Sequence, residues 1–203
     1  MGGEERMGSA NNHIILYSPQ DTIVWRVVNE FGISLSRREY IADKYEESAQ
    51  IFLTAYEAFI REAEKIVPRC DSTAYPYWAF ASPEQIDSMD RKVMKLEVPI
   101  NEVVLFDQYD WYKVLRLSYI GETPEEEAEF VHELERRGIR DASDVVLRPF
   151  YPDLKRKITS SWSRLFRYDA LIKEAAAAGG ELVIPGVRAV QAGLWCIKKE
   201  WLR

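Results

Sequence analysis

Val93-Met94-Lys95-Leu96-Glu97-Val98 places apolar side chains at its even positions and polar ones at Lys95 and Glu97. Successive side chains of an extended chain point to opposite faces, so this two-residue period predicts a half-buried strand. Pro99 ends the run, and Val103-Val104-Leu105-Phe106 reads as a second strand close behind it. On the N-terminal side the period changes to that of a helix. From Glu46 to Val67, the residues Phe52, Tyr56, Phe59, Ala63 and Ile66 recur at helical spacing, with Pro68 just past the end. That stripe predicts a long core helix.

The flanking sequence extends this alternation of types. His13 to Tyr17 is a short apolar run that reads as a strand. Ser18-Pro19-Gln20-Asp21 has the grammar of a helix start, with Ser18 as cap and Pro19 at the first helical position. Val24, Val27, Val28 and Phe31 then form one stripe, and Gly32 supplies a left-handed stop. Ile33 to Ser36 alternates as a strand would, and Trp111, Val114, Leu115 and Ser118 fit a short helix.

Thr123-Pro124-Glu125-Glu126 starts another helix, which carries acids at its positive end and Arg136-Arg137 at its negative end. It needs little from its surroundings, and residues 122–150 read as a helical insertion. A helix from about Pro152 to Phe166 carries Leu154, Ile158, Trp162 and Leu165 on one face. A further helix runs from Asp169 to Ala178, and strands are predicted over Glu181–Ile184 and Val187–Ile197. Strands at both ends and near the middle, without regular βαβ alternation, give an α+β fold. The expectation is a mixed or antiparallel sheet with several packed helices, in a single domain over 13–203 behind a flexible leader, 1–12.

The 203 residues are 47% hydrophobic and 30% charged, the balance of a globular chain large enough to fold without a metal or disulfide. A net charge of −6 argues against an extended nucleic-acid footprint. Lys155, Arg156, Lys157, Arg164 and Arg167 nevertheless cluster on the helix 152–167, which leaves such a partner open. No apolar run approaches a membrane span. Two cysteines, Cys70 and Cys196, make no disulfide framework and suit a reducing, cytoplasmic setting. With His13 and His132 the only histidines, a His-rich metal site is not expected. Walker, G-x-G-x-x-G and G-x-S-x-G patterns are all missing from the sequence.

The six tryptophans carry the remaining information, because most stand beside polar groups. Asp107 and Asp110 follow an apolar run and precede Trp111, where an acid serves either a ligand or the cap of the next helix. Gln191 shares a strand face with Gly193 and Trp195; its amide either offers a donor and an acceptor to a planar ligand or lies on the outer face of the sheet. Rings beside polar anchors make an aromatic-walled pocket or a filled core.

Taken in order, these segments resemble a bacterial family known as domain of unknown function 3841. Its opening Leu-Trp-Thr-Ile-Gln is similar to Ile15-Leu16-Tyr17-Ser18-Pro19-Gln20, and its Tyr-Pro-Ile-Trp-Ala-Trp to Tyr75-Pro76-Tyr77-Trp78-Ala79-Phe80. Its Leu-Leu-Ser-Asp-Phe-Asp-x-Trp-His resembles Val104 to Tyr112, matching at Asp107 and Trp111 with Tyr112 for the His. Ser161 to Phe166 is similar to Ser-Trp-Glu-x-x-Phe, and Gln191 to Trp195 to Gln-Ala-Thr-x-Trp, with Gly193 for the Thr. The resemblance implies no particular reaction.

The leading expectation is a cytoplasmic protein that binds a small planar or nucleotide-like ligand in an aromatic cleft. Trp78, Asp107, Trp111, Gln191 and Trp195 would line the cleft, with Arg37 as a phosphate partner. Two alternatives stand beside it. One is an ADP-ribosyltransferase-like enzyme using NAD. The other is an interaction protein of a stress or phage-defence system, working through the basic helix 152–167 or the acidic helix 124–137.

Overall fold

In a computed structural model, which describes residues 12–86 and 91–203, the chain opens with strand β1 (His13–Gln20) and helix α1 (Thr22–Phe31). A short strand β2 (Ile33–Ser34) leads to α2 (Arg38–Tyr45) and α3 (Ala49–Ala63). Strands β3 (Tyr77–Phe80), β4 (Lys92–Pro99) and β5 (Val104–Asp107) follow. Helices α4 (Gln108–Leu115), α5 (Pro124–Arg136), α6 (Ala142–Leu147), α7 (Pro152–Ser161) and α8 (Asp169–Ala177) come next. The chain closes with β6 (Val190–Leu194) and β7 (Ile197–Lys198). The expected leader, apart from Asn12, lies outside the described residues.

The main sheet has five strands in the order β4-β1-β3-β6-β5, all pairs antiparallel, and β2 pairs with β7 in a small second sheet. The fold is therefore α+β, with helices packed on an antiparallel sheet. Met94, Leu96 and Val98 of β4 are fully buried, as their alternation predicts, and share one face with Leu16, Ala79, Leu105 and Ala192. Val28 of α1, Ile172 and Ala176 of α8, and Trp201 cover that face. The edge of β4 is capped by the end of the chain: Leu202 bridges Leu96, and the Arg203 amide donates to the Lys95 carbonyl at 3.0 Å.

The second face is covered unequally. Phe59 of α3, Trp111 of α4, and Leu165 and Phe166 beyond α7 pack over Val104 and Phe106 of β5. One row crosses all five strands by register, Lys95–Tyr17–Phe80–Gln191–Phe106. Its exposure falls along the way: Lys95 is exposed, Tyr17 and Phe80 are half-buried, and Gln191 and Phe106 are buried. Among the described residues the helices thus roof β6 and β5 and leave the β4-β1-β3 half as an open shelf.

Gly193 sets how closely that roof sits. A Cβ there would lie 2.6 Å from Phe59 Cζ and 3.0 Å from Val104 Cγ2, so only hydrogen fits beneath the Phe59 ring.

Several expectations need correction. Ser18 and Pro19 belong to β1, which pairs with β4 out to Gln20↔Lys92. Ser18 is fully buried and donates from Oγ to the Trp78 carbonyl at 2.7 Å. The helix begins only after Asp21, so a long ladder outweighs the local cap grammar. Phe31 is 74% exposed; α1 docks through Val28 with Val24 and Trp25 packed beside it, a stripe rotated from the expected one. The long helix is broken at Glu46–Ser48 by a 3₁₀ turn, and Ile66 falls beyond its end, exposed. Glu181–Ile184 is not a strand. Its chain turns on itself, Val183 N–H to Glu181 O at 2.8 Å, and Val183 is left 77% exposed. The last predicted strand is two strands with a bend at Trp195.

The acidic and basic helices meet each other. Glu133 of α5 accepts from Lys157 of α7 at 2.8 Å, Arg137 donates to Asp153 at 2.8 Å, and Arg164 reaches Glu126 at 3.3 Å. Phe130 and Leu134 of α5, and Val145 and Val146 of α6, lie in the same core cluster as Phe59.

Two outcomes follow from this packing. Gly193→Val is expected to destabilise the fold by about 1–3 kcal/mol in urea unfolding, because Phe59 must shift. The hydrogen bond from Lys157 holds the Glu133 carboxyl below its usual 4.5, and the Tyr119 hydroxyl does the same for Glu126. Folded values below unfolded ones mean the stabilisation is present above the usual value and is lost as pH falls through the folded one. The Tm of the native chain is expected to drop more steeply below about pH 4.5 than that of an E126Q/E133Q variant.

Candidate functional site

Phe59 is the hub of the ring cluster. Its centroid lies 4.9 Å from Trp78, 5.4 Å from Trp111, 5.5 Å from Phe106 and 5.1 Å from Phe166, all edge to face. Trp78 and Trp111 touch each other at 4.9 Å. The indole N–H of Trp78 donates to the Tyr56 hydroxyl at 2.7 Å. Burial pushes the Tyr56 hydroxyl well above the ordinary tyrosine value, so it stays protonated. Trp111 is buried, whereas Trp78 and Phe80 stay half-buried at the boundary between roof and shelf.

Gln191 sits on that boundary. It faces the ring cluster, as the cross-strand partner of Phe80 on one side and Phe106 on the other. Only 4% of it is exposed, which overturns a place on an outer sheet face. Among the described residues its Oε1 has no hydrogen-bond partner. A buried polar atom without a partner costs about 1–3 kcal/mol, so this one needs a reason.

Asp107 and Asp110 divide the two roles expected of them. Asp107 caps α4, accepting from Tyr109 N–H at 3.3 Å, and also holds Ala189 N–H at 3.2 Å. It thereby ties the start of β6 to the end of β5. Arg188 approaches it at 3.8 Å and lies 3.7 Å over the exposed Tyr109 ring. Asp110 caps nothing. It is buried and paired with Lys113 at 3.0 Å and Arg167 at 2.8 Å, joining α4 to the segment after α7.

The structure brings Trp78, Trp111 and Gln191 to one sheet face, with Asp107 at the adjoining strand end. It does not bring Arg37 to them, and Trp195 joins the cluster at its far side, edge to face with Phe59 at 6.3 Å. Arg37 pairs with Asp71 at 3.2 Å, beside the Ser36↔Tyr75 bridge at the opposite end of the β3 line from Phe80. Trp195 lies past the end of β6, its indole N–H spent on the Val67 carbonyl at 2.7 Å. Next to it, Cys70 Sγ approaches the Trp195 carbonyl at 3.9 Å, and both cysteines are free. Burial first, and then the neighbouring Cys70, push the Cys196 thiol up to about 12.

Tyr17 and Phe80 escaped the sequence reading, since their shared row with Gln191 exists only once the register is known. Among the described residues no three His, Cys, Asp or Glu side chains gather as a metal ion would need, and no helix is long and apolar enough to cross a membrane.

Gln191→Met tests whether the amide serves the fold. Methionine keeps the length and removes an unpartnered polar atom, so stability in urea is expected to hold or to rise by up to about 1 kcal/mol. A loss beyond about 2 kcal/mol would mean that the amide has a protein partner in solution.

No curated protein and no solved structure matches the chain. A family model does, over residues 15–203, nearly the whole length, and it takes in both the shelf and the roof. The protein belongs to the family described as Domain of unknown function (DUF3841).

Proposed function

We propose that the protein binds a small planar, nucleotide-like ligand on the shelf, with its polar edge turned to Gln191. The observation that carries this reading is the buried Gln191 amide oxygen, unpartnered among the described residues, toward the inner end of a half-open aromatic row. Sites for such ligands are mostly apolar with a few placed polar groups. Here Trp78 and Phe80 supply the apolar wall, Trp111 backs Trp78, and Asp107 fixes the strand end behind Gln191. Three strand spacings separate Gln191 from Lys95, about 14 Å, so a ligand lying along the row turns its anionic end to the Lys95 ammonium. The reading keeps the protein in a reducing cytoplasm, in line with two free thiols.

The alternatives gain less support. A transferase of the ADP-ribosyl type wants a carboxylate where Gln191 offers an amide, and Arg37 is held at a distance by Asp71. The charged helices that would recruit a macromolecule spend much of their charge on each other.

Tryptophan fluorescence of the full chain, titrated with AMP, GMP and NAD, tests the proposal. Saturable quenching through Trp78 is expected with at least one of them, weakened about tenfold or more by Q191L and less by K95A. No saturable change up to about 1 mM of each, or equal affinity in Q191L, sinks it.

A further inference from the structure

A second concavity lies away from the shelf, where the start of α3, the ends of α4 and α5, and the start of α6 converge. Its volume is about 1000 Å³ and it opens to solvent. Ile51, Phe52, Leu115, Leu134 and Ile139 give it apolar walls. That is the upper end of the size range of small-molecule sites, roughly 300–1,000 Å³.

Its walls carry two guanidinium groups, Arg116 and Arg140, and two carboxylates, Glu135 and Asp141, but these are not paired with one another. Among the described residues neither Arg116 nor Arg140 has a carboxylate within ion-pair distance, a state they share with Arg136 and Arg156 on the neighbouring helices, whereas Arg137, Arg148, Arg164 and Arg167 are paired. The acids on the same walls are engaged elsewhere. Asp141 caps α6 by accepting from Ser143 N–H at 2.8 Å, and Glu135 is 3.0 Å from His132 Nδ1. Of the four charged groups on the hollow, the two guanidinium groups are the ones without a polar partner among the described residues.

The backbone holds this arrangement at a cost. Leu117, between the wall residues Arg116 and Ser118, is fully buried and has a φ of 51°, left-handed for a residue with a branched side chain. The Ser118 N–H is tied to the Lys113 carbonyl at 2.8 Å, which locks the turn. Non-glycine residues in this conformation cost about 1–3 kcal/mol and concentrate where the chain must present particular groups. Here the turn sends Leu117 into the core and leaves its two neighbours on the hollow. On the facing wall Gly138, with φ of 71°, turns the chain so that Ile139 is buried and Arg140 is exposed.

We infer that this hollow is a binding site for a small amphiphilic carboxylate, its hydrocarbon part against Phe52, Leu115 and Leu134 and its head group between Arg116 and Arg140. Guanidinium forks pair carboxylates through charge-assisted hydrogen bonds, which fix the head, and burial of the tail supplies the affinity. The site is independent of the shelf and does not rest on the ligand proposed there.

Isothermal titration of the full chain with decanoate, decanol and acetate tests the assignment. Decanoate is expected to bind saturably at one site, decanol about tenfold more weakly or worse, and acetate without measurable heat, because tail and head are both required. Arg116 and Arg140 are exposed, so an R116Q/R140Q variant is expected to keep the native circular dichroism and melting temperature. In that variant decanoate affinity should fall to the level of decanol. Ala142→Trp, which fills the hollow from its rim, should abolish binding of both, and Q191L should leave decanoate affinity unchanged. The assignment is overturned by no saturable heat up to about 1 mM decanoate, by equal affinity for decanol, by full affinity in R116Q/R140Q, or by loss of decanoate binding in Q191L.

Discussion

The seating of the Phe59 ring on Gly193 fixes the rest of the molecule. An interior packed to crystalline density leaves no slack, so the absence of a side chain at one position decides how near α3 comes to the sheet. Because α3 lies against β6, the indoles of Trp78 and Trp111 meet at its flank and Phe106 closes beneath them. Because it lies there and not over β1, half of that sheet face has no helix above it. An antiparallel sheet tolerates such one-sided covering, since its ladder needs no crossover helices on the faces.

The boundary produced in this way is where local chemistry departs from that of a plain core. Tryptophans within the roof satisfy their N–H groups internally: Trp78 with Tyr56, Trp162 with Ser118, Trp195 with Val67. Buried acids are met by bases or by backbone N–H groups. Among the described residues the Gln191 oxygen shares its lack of a partner with Trp25 Nε1, Gln85 Oε1, Arg167 Nε and Trp201 Nε1, and of these it alone belongs to a strand of the main sheet. Much of the aromatic cluster is a filled core, and the ligand-facing part reduces to its margin, where rings are half in contact with solvent.

Those parts of the fold that one element specifies alone were legible in the sequence. The alternation in β4, the stripe from Phe52 to Ala63, the Thr123 cap and the left-handed stops at Gly32 and Gly138 need no knowledge of neighbours. Features set by pairing partners were not. Ser18 and Pro19 read as a helix start until β4 offers them a ladder, and Glu181–Ile184 reads as a strand although β6 takes the sheet position beside β5. Helix α2 has a mostly polar surface and shows little apolar period. The burial of Gln191 depends on which half of the sheet the helices choose. Its strand parity was readable, and its surroundings were not. Likewise the charges on α5 and α7 read separately as docking surfaces, and only tertiary contact reveals them as each other's counterions.

The cap on β4 by Leu202 and Arg203 has a consequence for behaviour at high concentration. A bare outer strand invites the same strand of another molecule to add to it, and repeated addition builds fibres. Here Leu202 lies opposite Leu96, the Arg203 N–H occupies the Lys95 carbonyl, and the Arg203 guanidinium lies against Glu97. Leu202 and Arg203 thus stand where a strand of another molecule would add to the middle of β4.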